Sequence, residues 1–540
     1  MSFKTRKQSD ATFIKNNLIW LVIILVLGLL TRVPHLLSFI SSSSETALTY
    51  FPTLAASRFE QCARALIDGT CSGDAFSYAS PLYILLLVPL YALGVSNIIV
   101  FLLQTIMGIA SAFFVYIISI KLKASRILAF SGAIIWLFYA PAAFYEMTLL
   151  PVTLLSLLIS VWALQEIIPK DAKVNSFARG FISGLITGLR PPFILLGLFS
   201  LIRSIKRKQY SSSLFLLTGF ILPLLVLCFY HSSQGGGFTP FASSTGLNLV
   251  LGHADGASGY GPPVAEYGLI ENPTEDIHQV AARVAFENGA NTPSEANSFW
   301  MQKATSWILS NPEKELKLVG AKLGAFFGYR PFDTYFDLER DIESDKSLKH
   351  LLLPRYLLIA FIAAGTIPFL IYNKENRILV LPVLIALAAS LGFVHSERYW
   401  LPTVPVTLAV SVSGLQFFFK NLKTPERKKS ITAIFLAIIL MITGLLWPVP
   451  EIPEGQYLYN RAVKAYNMRN YILALTLFEE SAEATPPGTT ISVHARMEAL
   501  RISQALNLQD RVLLHSQILQ REIERADSSN CLPISPTETI

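Results

Sequence analysis

Residues 97–126 read NIIVFLLQTIMGIASAFFVYIISIKLKASR, an apolar run of membrane-spanning length closed by Lys121, Lys123 and Arg126. About 20 apolar residues cross a bilayer as a helix, because a helix satisfies its own backbone polar groups where no water can. A basic cluster at the end of such a run marks the side retained in the cytoplasm. Runs of the same kind recur near 18–40, 127–144, 148–168, 177–189, 191–202, 212–231, 351–372, 378–394, 399–419 and 431–447. They predict about eleven spans, the pair around Arg190 being short. The fold class that follows is an all-α polytopic membrane protein.

Composition agrees. Of 540 residues, 52% are hydrophobic and 15% charged, with a mean hydropathy of +0.47, which excludes an ordinary soluble domain. The net charge of +7 does not point to nucleic acid, since Lys and Arg sit in short clusters between apolar runs. The flank KTRKQSDATFIKNN precedes a run with no small-residue cleavage site, so an uncleaved signal anchor is expected.

The basic clusters set the orientation. Lys4, Arg6, Lys7 and Lys15 precede the first run; Lys121, Lys123 and Arg126 follow the second; Lys170 and Lys173 follow the fourth. Arg203, Lys206, Arg207 and Lys208 follow the sixth, Lys374 and Arg377 the eighth, and Lys420, Lys423, Arg427, Lys428 and Lys429 the tenth. Every second connection is basic, so the N-terminus is expected in the cytoplasm. That register requires Pro81–Gly94, too short to span, to lie at the outer interface. The connections 41–96, 144–148, Arg190, 232–350 and 395–399, with everything after Pro448, then lie outside the cytoplasm. Cys62 and Cys71 share the first of these loops and either pair there or remain thiols; Cys228 lies in an apolar run and Cys531 in the tail.

The segment 232–350 opens with GGGFTPFASSTGLNLVLGHADGASGYGPP, whose Gly, Ser and Pro content predicts loop, and continues into PSEANSFWMQKATSWILSNPEKELKLVGAKLGAFFGYR, spaced as surface helices. GGG is no phosphate loop, since no Gly-Lys-Ser/Thr follows. The eight histidines show no metal-ligand spacing, so neither a metal nor a cofactor is expected. After Pro448, Leu458, Ala462, Tyr466, Tyr471, Ala474, Phe478 and Pro486 fall at the large, small and turn positions of a tetratricopeptide repeat. The expected division is a membrane domain over 1–450, repeat-like helices over 451–526, and a disordered tail over 527–540.

Ionisable residues set against membrane helices are functional candidates. Here they are Glu45, Glu60, Asp68 and Asp74 in the opening loop, Glu146 in APAAFYEMTLLP, Arg190 in GLRPP, and Arg398 with Tyr399 in HSERYWLP. Carboxylates converging with guanidinium groups suit an anionic lipid head group, since the planar guanidinium binds two phosphate oxygens together. Each also has a plain structural reading: interfacial Arg and Tyr anchor helices, and Glu60 falls on the solvated side of the amphipathic SRFEQCARALIDG.

The motifs TRVPHLL, CARALIDG, SPLYILLLVPLYALG, YAPAAFYEMTLLP, GLRPP, GGGFTPFASSTGLNLVLGHADGASGY, SEANSFWMQKATSWILSNP and SERYWLPTVP stand in this order along the membrane part. In that order and spacing the chain resembles the bacterial polyprenyl-phosphate-sugar-dependent glycosyltransferases of the GT-C superfamily, family 39. These are relatives of the protein O-mannosyltransferases and the lipid A aminoarabinose transferase. The resemblance implies a multi-pass protein of the bacterial inner membrane acting in the cell envelope. It would transfer a sugar, with inversion, from polyprenyl phosphate to an extracytoplasmic acceptor, a carboxylate serving as base and basic groups holding the lipid phosphate. It also implies that Arg190 and Arg398 contact phosphate and that Tyr399, Asn248 and the loop around Gly252 help close the site.

The chain departs from the family pattern at the acid of the opening loop: counting back from Ala63, its place holds Ala55. Thr148 and Val152 stand where further acids are expected after the third span. Either Glu146, Glu60 or Glu45 serves as base, or the chain is a degenerate relative. Such a relative would bind lipid-linked sugar, or a protein partner through its repeat helices. A transporter of lipid-linked intermediates is a further alternative, without an internal repeat to encourage it.

Overall fold

The computed structural model of the chain describes residues 3–41, 48–52, 55–69, 80–168, 173–233, 237–242, 244–259, 277–333, 336–351, 353–422, 427–447, 451–487 and 489–528. Among them there are helices and no strand. Six helical stretches are long and apolar enough to cross a membrane: Lys15–Ile40, Asn97–Lys121, Tyr210–Ser233, Arg355–Tyr372, Lys374–Gly392 and Glu397–Asn421. Shorter apolar helices run over Pro81–Ala92, Arg126–Leu137, Val152–Ile167 and Ile434–Leu446. The chain is therefore a helical membrane protein, with Leu30, Ile106 and Phe229 left on a surface that suits lipid rather than water.

The stretch Val404–Gly414 is buried throughout and forms the centre of the bundle, packed by the helices Arg355–Tyr372, Asn97–Lys121 and Arg126–Leu137. The most extensive helix pair joins Lys173–Leu189 to Tyr210–Ser233. Ser176, Gly180, Gly184 and Gly188 recur at intervals of four along the first of these and are all buried. The main chain of Leu216 lies against Gly180 and that of Phe177 against Gly219, so a Cβ at either glycine would overlap backbone. Small residues at this spacing are what let helices approach closely in lipid.

Two expectations change. The third apolar run, 127–144, is two helices, Arg126–Leu137 and Ala140–Glu146. Tyr139 between them is extended and Pro141 in the first turn has no N–H to extend a helix from upstream. The second change lies in the glycine-rich segment expected as loop, where Thr245–Gly252 is helical. Its Leu247 and Val250 bury against Trp300 and Ala304 of the helix Pro293–Ser310, so burial overrides local composition. That later helix is capped by Thr292, whose hydroxyl accepts from the Glu295 N–H.

After the membrane part, Glu454–Asn467, Tyr471–Glu483, Thr490–Ala505 and Gln509–Ser528 pack as consecutive antiparallel neighbours. Their core holds Tyr459, Ala462, Ala474, Phe478, Ala495 and Ile502, and Leu48 of the opening loop inserts into it. Tyr466 and Tyr471 stay exposed and pack edge to face at 5.5 Å. Lys464 is buried, donates to the Thr49 carbonyl at 3.1 Å, and lies over the Phe336 ring. Tyr457 donates to Asp341 at 3.3 Å. The tail from 529 lies outside the described residues.

Candidate functional site

The short helix Ala140–Glu146 ends in Tyr145 and Glu146, both buried, and the two side chains lead to different acids and bases. Glu146 turns to the first membrane helix: Arg32 Nε lies 3.0 Å from each of its carboxylate oxygens, both residues being 1% exposed. Arg32 Nη1 also donates to the Leu137 carbonyl at 2.5 Å. A Cβ on Gly108 would overlap the Glu146 carboxylate, so glycine at 108 makes the room for it. Gln104 donates to the main-chain carbonyls of Glu146 at 3.0 Å and Thr148 at 2.8 Å, fixing the turn. A buried pair of this kind is held by its partner: removing one member strands the other and costs about 3–5 kcal/mol.

Tyr145 turns the other way. Its hydroxyl donates to Asp333 Oδ2 at 2.5 Å, and the Ser396 hydroxyl donates to the same oxygen at 2.6 Å. Asp333 is 1% exposed at the residue level and borders a cavity of about 220 Å³ with Arg330, Phe332, Phe336 and Asp337. The turn that carries Ser396 is fixed on its other sides. Glu397 accepts from Tyr139 at 2.5 Å and from Arg355 Nε at 3.1 Å, and its N–H donates to the Phe332 carbonyl at 2.6 Å. Arg355 in turn donates to the carbonyls of Phe326, at 3.0 Å, and Gly328. The acid of the ERYW motif is thus consumed in holding Arg398 and Tyr399 in place.

Two guanidinium groups meet at Tyr399, three residues after Ser396. Arg190 lies 4.5 Å over the Tyr399 ring, and Arg398 lies 5.3 Å from the same ring centre. Arg190 is in the electrostatic field of Tyr399, Arg398, Tyr145 and Asp333, and its guanidinium has no carboxylate or carbonyl partner among the described residues. The tight turn that presents it starts at the extended Arg190 and continues through Pro191 and Pro192, which have no N–H to bond back. Ser80, at the start of Pro81–Ala92, donates to the Gly188 and Leu189 carbonyls and ties this turn to the opening loop.

The structure therefore brings Arg190, Arg398 and Tyr399 together, and adds Tyr145, Asp333 and Ser396 to them. It leaves the other sequence candidates apart. Glu60 pairs with Arg64 at 3.0 Å on the helix Ala55–Ile67 and accepts from Asn97 at 3.0 Å. Asn248 donates at 2.8 Å to Ser244 at the start of its own helix. Glu45, Cys71 and Asp74 lie outside the described residues, and Cys62 is buried on the helix that carries Glu60. The end of that glycine-rich segment is pinned instead by His253, which bonds Glu315 at 2.7 Å and Lys322 at 3.0 Å. Burial pushes the Lys322 ammonium down to about 8 against the pull of Glu315.

Asp333 carried one sequence signal: an acid inside the aromatic run GYRPFDTYF directly after the helix Pro312–Phe327. Arg32 stood in TRVPHLL, with nothing to show that its partner lay more than a hundred residues away. Among the described residues no group of His, Cys, Asp and Glu is placed to hold a metal ion. No family model matches the chain, and no curated protein matches it.

Proposed function

We propose that the chain is a membrane glycosyltransferase that moves a sugar from a polyprenyl-phosphate donor to an extracytoplasmic acceptor with inversion. One observation carries the reading: Arg190, a guanidinium with no carboxylate bonded to it among the described residues, stacks on Tyr399 in the electrostatic field of Arg398 and the buried Asp333. Two guanidinium groups suit a lipid phosphate, and a carboxylate held by two hydroxyl donors suits a base. In the reaction, the acceptor hydroxyl oxygen forms a bond to the anomeric carbon as the bond from that carbon to the phosphate oxygen breaks. The hydroxyl proton passes to Asp333, and the released polyprenyl phosphate keeps its negative charge against Arg190 and Arg398. Glu146, already paired with Arg32, then has a structural part. The same guanidinium pair would serve a non-catalytic binder of lipid-linked sugar, and transfer separates the two readings.

The test is direct. Protein in lipid nanodiscs, given radiolabelled polyprenyl-phosphate sugar and membrane extract as acceptor source, should release polyprenyl phosphate, and Arg190→Ala should bind the donor at least tenfold more weakly. Donor binding without release would favour the binder; donor binding untouched by Arg190→Ala would remove the site. In this reading the bundle has about eleven spans, its N-terminus in the cytoplasm and its C-terminal helices outside. A reporter active only outside the cytoplasm, fused at Glu451, should be active; silence would invert the topology.

A further inference from the structure

Where the C-terminal helices meet the membrane part, a second cavity of about 570 Å³ opens, of a size usual for small-molecule sites. Its apolar wall is Phe39 and Phe51, backed by the buried Phe101 and Tyr50, and its polar wall is Ser57, Glu60, Gln61 and Asn97. Asn467 and Met468, at the end of the first C-terminal helix, complete it. We infer that this cavity binds the neutral sugar head group of a lipid, independently of the Asp333 site.

Three features of the wall select that ligand. The first is position: Phe39 ends one membrane helix and Phe101 begins the next, so both lie at the same membrane boundary, where lipid head groups are. Phe101, at 5.2 Å edge to face, and Tyr50, at 6.1 Å, are buried behind Phe39 and fix its ring, which with Phe51 is the partly exposed aromatic part of the wall. The second is charge. The two ionised groups on the lining, Glu60 and Arg64, neutralise each other at 3.0 Å, so nothing there favours an anion or a cation.

The third is the pairing of the partly exposed Phe39 and Phe51 rings with amide, hydroxyl and carboxylate groups, which matches the apolar faces and hydroxyl edges of a sugar ring. The wall is also held firmly. Tyr50 donates to Asp345 at 3.3 Å, and Asp345 lies 3.2 Å from His35. Burial would raise the Asp345 carboxyl, but His35 and the Ser347 donors outweigh it and hold it at about 2. Asn97 donates to Glu60 at 3.0 Å and accepts from Tyr91 at 2.7 Å. Preorganised groups of this kind lower the ordering cost of binding.

The experiment uses the full chain in nanodiscs and a photoreactive octyl glucoside. Adducts are expected on 55–67 and 467–468, competed by unlabelled octyl glucoside and not by octyl phosphate. Ser57→Trp and Asn467→Trp, which fill the cavity from opposite sides, should each lower labelling at least tenfold, while Arg190→Ala leaves it unchanged. Asn467 is exposed, so its variant should fold even if the other does not. Labelling that survives Asn467→Trp, or equal competition by octyl phosphate, would overturn the assignment.

Discussion

Glu146 and Asp333 are both carboxylates buried to 1% exposure, one at the end of the short helix Ala140–Glu146 and the other bonded by its Tyr145, yet their surroundings differ. Glu146 has a guanidinium against both of its oxygens and an overlying Gly108. Asp333 accepts from the hydroxyls of Tyr145 and Ser396 and lies in the electrostatic field of Arg190. Burial alone therefore does not tell the two acids apart. What distinguishes the two is the kind of donor each accepts from: a guanidinium on both oxygens of Glu146, and hydroxyls on Asp333.

The largest expected effect falls on Asp333. Asp333→Asn keeps an acceptor for Tyr145 and Ser396 but cannot take a proton, so sugar transfer in nanodiscs should fall by about 10²–10⁴-fold. Glu146→Gln strands Arg32 and should lower the thermal midpoint, but transfer per folded molecule should stay close to that of the unaltered protein; the reverse pattern would exchange the roles of the two acids. Next comes Arg32→Ala, which strands Glu146 and should cost about 3–5 kcal/mol in stability, read as a lowered thermal midpoint. The double variant with Glu146→Gln should recover much of that loss, and no recovery would mean the pair is not what holds the turn.

A smaller effect is expected at the phosphate side. Arg190→Lys keeps the charge but loses the planar fork and weakens its stacking on Tyr399, so donor affinity should drop by about tenfold. Unchanged affinity would leave only charge to Arg190. The smallest effect is a pH dependence at the junction with the C-terminal helices. Burial raises the Asp341 carboxyl from 3.8 to about 6, against the lowering pull of Lys464. Between those values the folded chain holds a proton that the unfolded chain has released, so this group's contribution to stability declines as pH rises through that window. Asp341→Asn should remove that decline, measured as thermal midpoints from pH 4 to 6; an unchanged slope would assign it elsewhere.

Much of the candidate site was legible one residue at a time. GLRPP and HSERYWLP marked Arg190, Arg398 and Tyr399, because ionisable groups at the ends of apolar runs are costly unless used. Glu146 also stood out for that reason, and its isolation in the sequence concealed Arg32. Glu60 looked like a solvated face residue and pairs with Arg64 one helical turn away, a local relation that spacing reveals.

The sequence by itself determined a helical membrane protein with a polar C-terminal extension, because hydrophobic run length and helical spacing are local quantities. It also located the turns where charge meets the bilayer. Only the tertiary structure decided which donors each acid meets, because Arg32 with Glu146, and Asp333 with Tyr145 and Ser396, are joined across long separations in the chain. The break at Tyr139 and the helix Thr245–Gly252 were settled in the same way, by contacts that outweigh local preference. Partner choice at a distance follows from packing, and packing has no local signature in the sequence.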